Sequence, residues 1–208
     1  MPIVTGIRDN RGVMEIDVDG STALRVRRQH FALCPLRERD EIDVEDYVNR
    51  VAAVQFPDAY EAALTSLDRA ERTAREIASS LRRRGYVPPA VDAVIARLTE
   101  NGLVDDARYA ERLAETQSKK PVGLYAFRRK LRAKGISEED AAEALSAFDE
   151  SQQRDACLAA ARKLARKYAE LPPREARARL SQALARRGFA WDVVSQALDG
   201  LIDDEDGV

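Results

Sequence analysis

The chain has 208 residues, 45% of them apolar, 34% charged and 6% aromatic, with a formal net charge of −2. That is enough apolar material for one or two cores, in a composition that favours helices. His30 is the single histidine, and the two cysteines, Cys34 and Cys157, lie far apart, so histidine triads, multi-histidine metal centres, zinc sites and a disulfide framework are excluded. No stretch reaches the roughly 18 apolar residues of a membrane span, and the N-terminus lacks a secretory pattern. The expectation is a reduced, cytoplasmic protein without a cofactor.

The small net charge hides an asymmetry. Residues 1–70 hold 9 basic and 13 acidic side chains, residues 71–189 hold 25 and 17, and residues 190–208 hold none and 6. A basic middle between acidic ends suits a polyanion or an acidic protein groove.

In chain order, Met14, Ile16 and Val18 alternate with Glu15, Asp17 and Asp19, a strand pattern that ends in an Asp19-Gly20 hairpin turn. Ala23 to Val26 can return as a partner strand, and Ile3 to Ile7 can supply a third. This β element, residues 1–43, is too small to fold alone and should dock on the first helices. From Val44 the period is helical: Val44, Val48 and Val51, then Tyr60, Ala63, Leu64 and Leu67, with Pro57 expected to break or restart the helix between them. Further helices are predicted over Thr73–Arg84, Pro88–Glu100, Asp105 to about Gln117, Leu124–Lys134, from Ser137 onward, and over about 152–169, 174–187 and 190–201. Asp105 and Ser137 are read as caps. Cys157 falls on an apolar stripe with Ala161, Leu164 and Tyr168, where it should pack. The acidic tail, residues 203–208, is expected to be disordered.

One pattern recurs three times. Leu81-Arg-Arg-Arg-Gly85, Leu131-Arg-Ala-Lys-Gly135 and Leu184-Ala-Arg-Arg-Gly188 align, each followed by Tyr86, Ile136 or Phe189, with Ile77, Phe127 or Leu180 eight residues before the glycine. Ile95, Leu145 and Leu198 come ten residues after it, and Leu98, Phe148 and Leu201 thirteen after it. Such a period marks stacked supersecondary units. The predicted fold is therefore all-α: a tandem array of three three-helix, helix-turn-helix-like repeats, elongated and curved, with a small N-terminal β element. The repeats are placed at residues 44–103, 104–150 and 151–202.

Positive charge recurs just before each glycine: Arg82, Arg83 and Arg84; Arg128, Arg129, Lys130, Arg132 and Lys134; Arg186 and Arg187. Arg162, Lys163, Arg166 and Lys167 form a further cluster. Aligned along an array, these side chains would make a stripe for a phosphate backbone or an acidic groove. Arg84, Lys134 and Arg187 sit where a cation also complements the helix dipole. Arg128, Arg129 and Lys130 sit too early in their helix for that explanation. Few aromatic or amide side chains are interleaved, so backbone contact is expected rather than base reading. Tyr125, Tyr168 and Trp191 are the stacking candidates, and each is expected to pack at the core or its rim. There is no phosphate-binding glycine loop or dinucleotide fingerprint, and Asp105-Asp106 reads as a helix start, so an enzyme is not expected.

These motifs resemble the RecX family of regulatory proteins, which modulate the RecA recombinase. The resemblance runs in order through Asp68-Arg-Ala-Glu-Arg-Thr-Ala-Arg-Glu-Ile77, the Leu81–Gly85 turn, Gly102-Leu-Val-Asp-Asp-Ala-Arg-Tyr-Ala110, Gly123 with Arg128–Ile136, and Leu184–Phe189, covering about residues 60–201. The segment Val44–Ala59, the strands and the acidic tail match it loosely or not at all. It implies three curved three-helix repeats that bind along the groove of the RecA–DNA filament. Filament extension, strand exchange and coprotease activity would be limited, within DNA repair, homologous recombination and the SOS response. Family members also bind single- and double-stranded DNA. The chain is expected to be a monomer without membrane contact. The alternatives are a stand-alone DNA-binding transcription regulator and a helical protein–protein adaptor.

Overall fold

The structure, a computed structural model, describes residues 1–118, 120–146 and 148–205. It comprises two compact units, Met1–Asp105 and a second that begins at Asp106.

The first unit opens with an antiparallel sheet in the order β1-β2-β3: β1 (Val4–Asn10), β2 (Val13–Val18) and β3 (Ser21–Arg27). The alternation in β2 turns Ile16 and Val18 inward, while Glu15 and Asp17 pair with Arg25 at 3.4 Å and Arg8 at 3.0 Å. The free edge of β1 is covered by residues 39–42, to which Val4 and its neighbours are hydrogen-bonded. Covering an edge in this way removes a template for unwanted pairing. A short helix, α1 (Arg28–Phe31), follows β3. Its four residues are too few to carry a helical sequence period.

Helix α2 (Val44–Arg69) is continuous through Pro57, contrary to the expected break. A mid-helix proline costs roughly 3 kcal/mol. Here both flanks are buried: Tyr47, Val51 and Ala52 pack against Val4, Ile16, Val18 and Val26 of the sheet, while Ala59 and Ala63 enter a second core with Ile77, Leu81, Val91 and Leu98. One helix thus serves two cores, and burial on both sides outweighs the missing bond. Asp43 caps its start through the N–H groups of Glu45 and Asp46. Burial pushes the Tyr47 hydroxyl pKa up to about 12, and that hydroxyl donates to the Cys34 carbonyl at 2.9 Å.

Helices α3 (Ala74–Arg83) and α4 (Pro88–Glu100) complete the first three-helix group. Thr73 and Glu76 form a reciprocal capping box, and Pro88 occupies the first turn of α4. The sheet core includes Val87 and Ala90, so the β element docks on the first helices as expected.

The second unit holds α5 (Asp106–Ser118), α6 (Leu124–Lys134) and α7 (Glu138–Ser146), then α8 (Glu150–Tyr168), α9 (Pro173–Arg186) and α10 (Trp191–Glu205). Each trio surrounds its own core. Ala110, Ala114, Phe127, Leu131, Ile136, Ala141 and Ala144 form one, and Cys157, Ala160, Ala161, Leu180, Leu184, Phe189 and Val194 the other. Burial pushes the Cys157 thiol up to about 11, consistent with a packing role. Ser137 accepts from the Asp140 N–H at 3.0 Å and so caps α7. Helix α10 continues through Glu205, so residues 203–205 are helical and not the start of a disordered tail. The remaining tail residues, 206–208, lie outside the described residues.

Candidate binding surface

The recurring glycines build the same local device three times. Gly85, Gly135 and Gly188 all adopt left-handed φ, +85°, +87° and +87°. The N–H of the following residue reaches back to the leucine carbonyl in each case: Tyr86 to Leu81 at 3.3 Å, Ile136 to Leu131 at 3.1 Å and Phe189 to Leu184 at 3.3 Å. The glycine N–H groups add a second bond, to Arg82, Arg132 and Ala185. This is the glycine C-cap with its apolar contact across the turn. It ends every basic helix at the same place and leaves the residues just before the glycine outside the core.

All fourteen basic residues singled out from the sequence lie at the surface: Arg82, Arg83, Arg84, Arg128, Arg129, Lys130, Arg132, Arg162, Lys163, Arg166, Lys167, Arg186 and Arg187 are exposed, and Lys134 is half-buried. They differ in what they touch. Arg82 lies 3.6 Å from Asp92, Arg132 donates to Glu138 at 2.5 and 3.1 Å, and Arg83 donates to Ser79 at 3.3 Å. Lys134 sits over the Tyr109 ring at 5.6 Å and Lys167 near the Tyr168 ring at 5.9 Å. Among the described residues, no carboxylate lies within 4 Å of Arg128, Arg129, Lys130, Arg186 or Arg187, so these keep their full charge for a ligand.

Two of the basic groups come together. The N-terminus of α6 rests on the turn between α9 and α10: the Gly123 N–H donates to the Arg187 carbonyl at 3.1 Å and the Tyr125 N–H to the Gly188 carbonyl at 3.0 Å. A Cβ on Gly123 would lie 2.1 Å from the Gly188 carbonyl carbon, and one on Gly188 would lie 2.2 Å from the Ala126 nitrogen. Only glycine at both places lets the backbones meet. Two N–H groups that a helix start leaves without partners are matched to two carbonyls that a helix end leaves without donors. Arg128 and Arg129, one turn along α6, therefore belong to the same neighbourhood as Arg186 and Arg187.

Two aromatic residues depart from their expected packing. Trp191 is 72% exposed and Tyr125 56% exposed, whereas Phe127 and Phe189 lie in the cores. Tyr168, by contrast, packs against the third core as expected. Beside it, Arg162, Arg166, Arg174 and Arg177 rim a cleft of about 660 Å³ floored by Leu171, Leu180, Leu198 and Leu201. Arg174 and Arg177 were not singled out from the sequence, and Arg177 is held by Asp199 at 2.6 Å. Among the described residues, no helix is long and apolar enough to cross a membrane.

The fold is thus a tandem set of three-helix repeats, each built on a basic helix and a glycine C-cap. The three RecX family descriptions match it in order: the first three-helix domain over residues 59–98, the second over 105–145 and the third over 150–198. A "Regulatory protein RecX" of Chlorobium phaeobacteroides is 37% identical over 69% of this chain and 93% of its own length. The protein of the same name from Bacillus subtilis is 29% identical over 97% of this chain and 78% of its own. A "Crystal structure of regulatory protein RecX" superposes with a TM-score of 0.67 at 27% identity, covering 96% of this chain and all of that one. The RecX structure from Lactobacillus salivarius gives 0.65 at 27% identity, over 72% and 97%. The chain belongs to the RecX family.

Proposed function

We propose that the chain is a non-enzymatic regulator that binds the RecA–DNA filament, and DNA itself, and so restrains RecA ATPase, strand-exchange and coprotease activity. The observation that carries this reading is the exposed basic helix repeated before each glycine C-cap, in a chain whose relatives bear the name of regulatory proteins. Several modest charge contacts on linked repeats bind a polymer better than any one of them, because each docked repeat raises the effective concentration of the next. Backbone-directed arginines suit a filament that offers phosphates whatever its sequence.

Arg128, Arg129 and Lys130 are the strongest candidates, being exposed, unclaimed by a carboxylate among the described residues, and on one helix. Reversing all three to glutamate should weaken filament binding at least tenfold while far-UV circular dichroism stays unchanged. Undiminished inhibition of RecA ATP turnover and strand exchange by this folded variant would reject the assignment. Arg132 is left out of the variant because Glu138 already holds it.

A further inference from the structure

We propose that Tyr125 and Trp191 form a base-stacking platform for single-stranded nucleic acid where the second repeat meets the third, with Arg128, Arg129, Arg186 and Arg187 holding the flanking phosphates. The proposal rests on the DNA-binding reading above and adds to it a way of distinguishing unpaired from paired strands.

The first argument is exposure. Trp191 and Tyr125 leave 72% and 56% of their surface in water, whereas Phe127 and Phe189 leave 1% and 3%. Large aromatics are seldom left so bare unless something covers them in use. Nor does the local helix chemistry call for Trp191. The corresponding first residues of α4 and α7 are Pro88 and Glu138, types that suit a helix start, and a tryptophan adds nothing there.

The second argument is placement. The Tyr125 N–H is bonded to the Gly188 carbonyl, and Gly188 precedes Trp191 by only three residues. Three residues of chain span at most about 11 Å, so the two rings lie within a few nucleotides of each other. Both stand on helix starts locked by the glycine junction, so little ordering entropy remains to be lost on binding. Arg128 and Arg129 follow Tyr125 by three and four residues, which puts them one turn away on its side of α6. Arg186 and Arg187 lead into the turn that carries Trp191. Asp192, next to Trp191, stands in the first turn of α10, where it complements the helix dipole.

The third argument decides the class of ligand. Aromatic and arginine side chains also make hot spots between proteins, but those are ringed by apolar neighbours that exclude water. Among the described residues, the other exposed large apolar side chains, Met1, Ile3, Leu33 and Leu103, belong to the first unit. Tyr125 and Trp191 instead stand close along the chain to four arginines, Arg128, Arg129, Arg186 and Arg187, with Asp192 as the acidic neighbour of Trp191. Sequence-tolerant stacking flanked by positive charge is how proteins grip single strands.

Trp191 is the sole tryptophan, so its emission reports on the site directly. The full chain would be titrated with a 20-residue oligothymidylate and with an abasic strand of equal length and charge, at moderate salt. Oligothymidylate should quench Trp191 and bind at least tenfold tighter than the abasic strand. By anisotropy of labelled strands, Trp191→Ala and Tyr125→Ala should each weaken oligothymidylate binding roughly 5- to 100-fold, leave abasic-strand and duplex binding unchanged, and Trp191→Phe should recover most of the loss. Equal affinity for the two strands without quenching overturns the stacking platform while the DNA-binding reading stands. Binding to neither strand removes both. Quenching by RecA free of DNA, with no response to oligothymidylate, gives the pair to a protein contact and likewise overturns the proposal.

Discussion

The glycine turn after α3 and the one after α9 share their backbone bonds but not their surroundings. In the first, the Gly85 carbonyl accepts from Gln55 at 3.4 Å, and Gln55 in turn accepts from the Val87 N–H at 2.8 Å. Gln55 is fully buried on α2, so that turn is closed from within its own repeat. In the last repeat, the carbonyls of Arg187 and Gly188 face the start of α6 and are taken by Gly123 and Tyr125. The same motif is sealed in one place and used as a joint in the other. Local sequence shapes the turn, and its partner decides whether it terminates a repeat or connects two.

Substituting the glycines gives the largest contrast. Gly188→Ala combines left-handed strain with a Cβ 2.2 Å from the Ala126 nitrogen, and should cost about 3–5 kcal/mol. Gly85→Ala carries the same φ, but its Cβ meets only the flexible Arg27 side chain at 3.4 Å, so about 1–2 kcal/mol is expected. Gly123→Ala has an ordinary φ and isolates the close approach, with a cost between the two. Urea unfolding of the three variants checks the order, and equal losses for Gly85→Ala and Gly188→Ala would show that α6 does not depend on the joint.

A smaller effect tests the sealed turn. Gln55→Leu leaves the buried Val87 N–H without a partner and removes the donor to the part-buried Gly85 carbonyl, and should cost about 2 kcal/mol. Hydrogen exchange should quicken around Gly85 and Val87 while the Tyr125 amide keeps its protection.

The smallest concerns Asp58 on α2, beside the same turn. The buried His30 Nε2 lies 2.9 Å from its Oδ2, and Gln29 donates to that oxygen at 2.6 Å. The His30 hydrogen bond, with help from Gln29 and the nearby positive charge of Arg27, holds the Asp58 carboxyl below the usual carboxylate range. A depressed carboxyl pKa stabilises the fold above the ordinary value, and the contribution is lost as pH falls through the depressed one. Because Asp58 is half exposed, Asp58→Asn should cost under about 1 kcal/mol at pH 7, and the two proteins should converge in acid. A difference that persists to pH 2 in thermal melts would refute this account.

Much of the fold was legible because it repeats. Three leucine–glycine turns with apolar residues at matched offsets predict three helix pairs, and Ile77, Phe127 and Leu180 are all buried where the period puts them. The β2 alternation and the Asp19-Gly20 turn likewise appear as read, with Gly20 at φ +82°. Pro57 misled because a local rule was outweighed by burial on both sides of it. The charged surface was legible as residues but not as partners. That Glu138 holds Arg132, and Asp92 approaches Arg82, depends on how the next helix leaves the glycine turn. Trp191 and Tyr125 were misread because spacing marks which positions are apolar, not whether a neighbour arrives to cover them.

The sequence alone determined where each basic helix stops, since only glycine takes the left-handed turn without strain and the apolar period sets which face is buried. Tertiary structure alone decided that the start of α6 is received by the turn before α10. That pairing joins backbone groups remote along the chain, and no local propensity specifies which carbonyl a free N–H will meet.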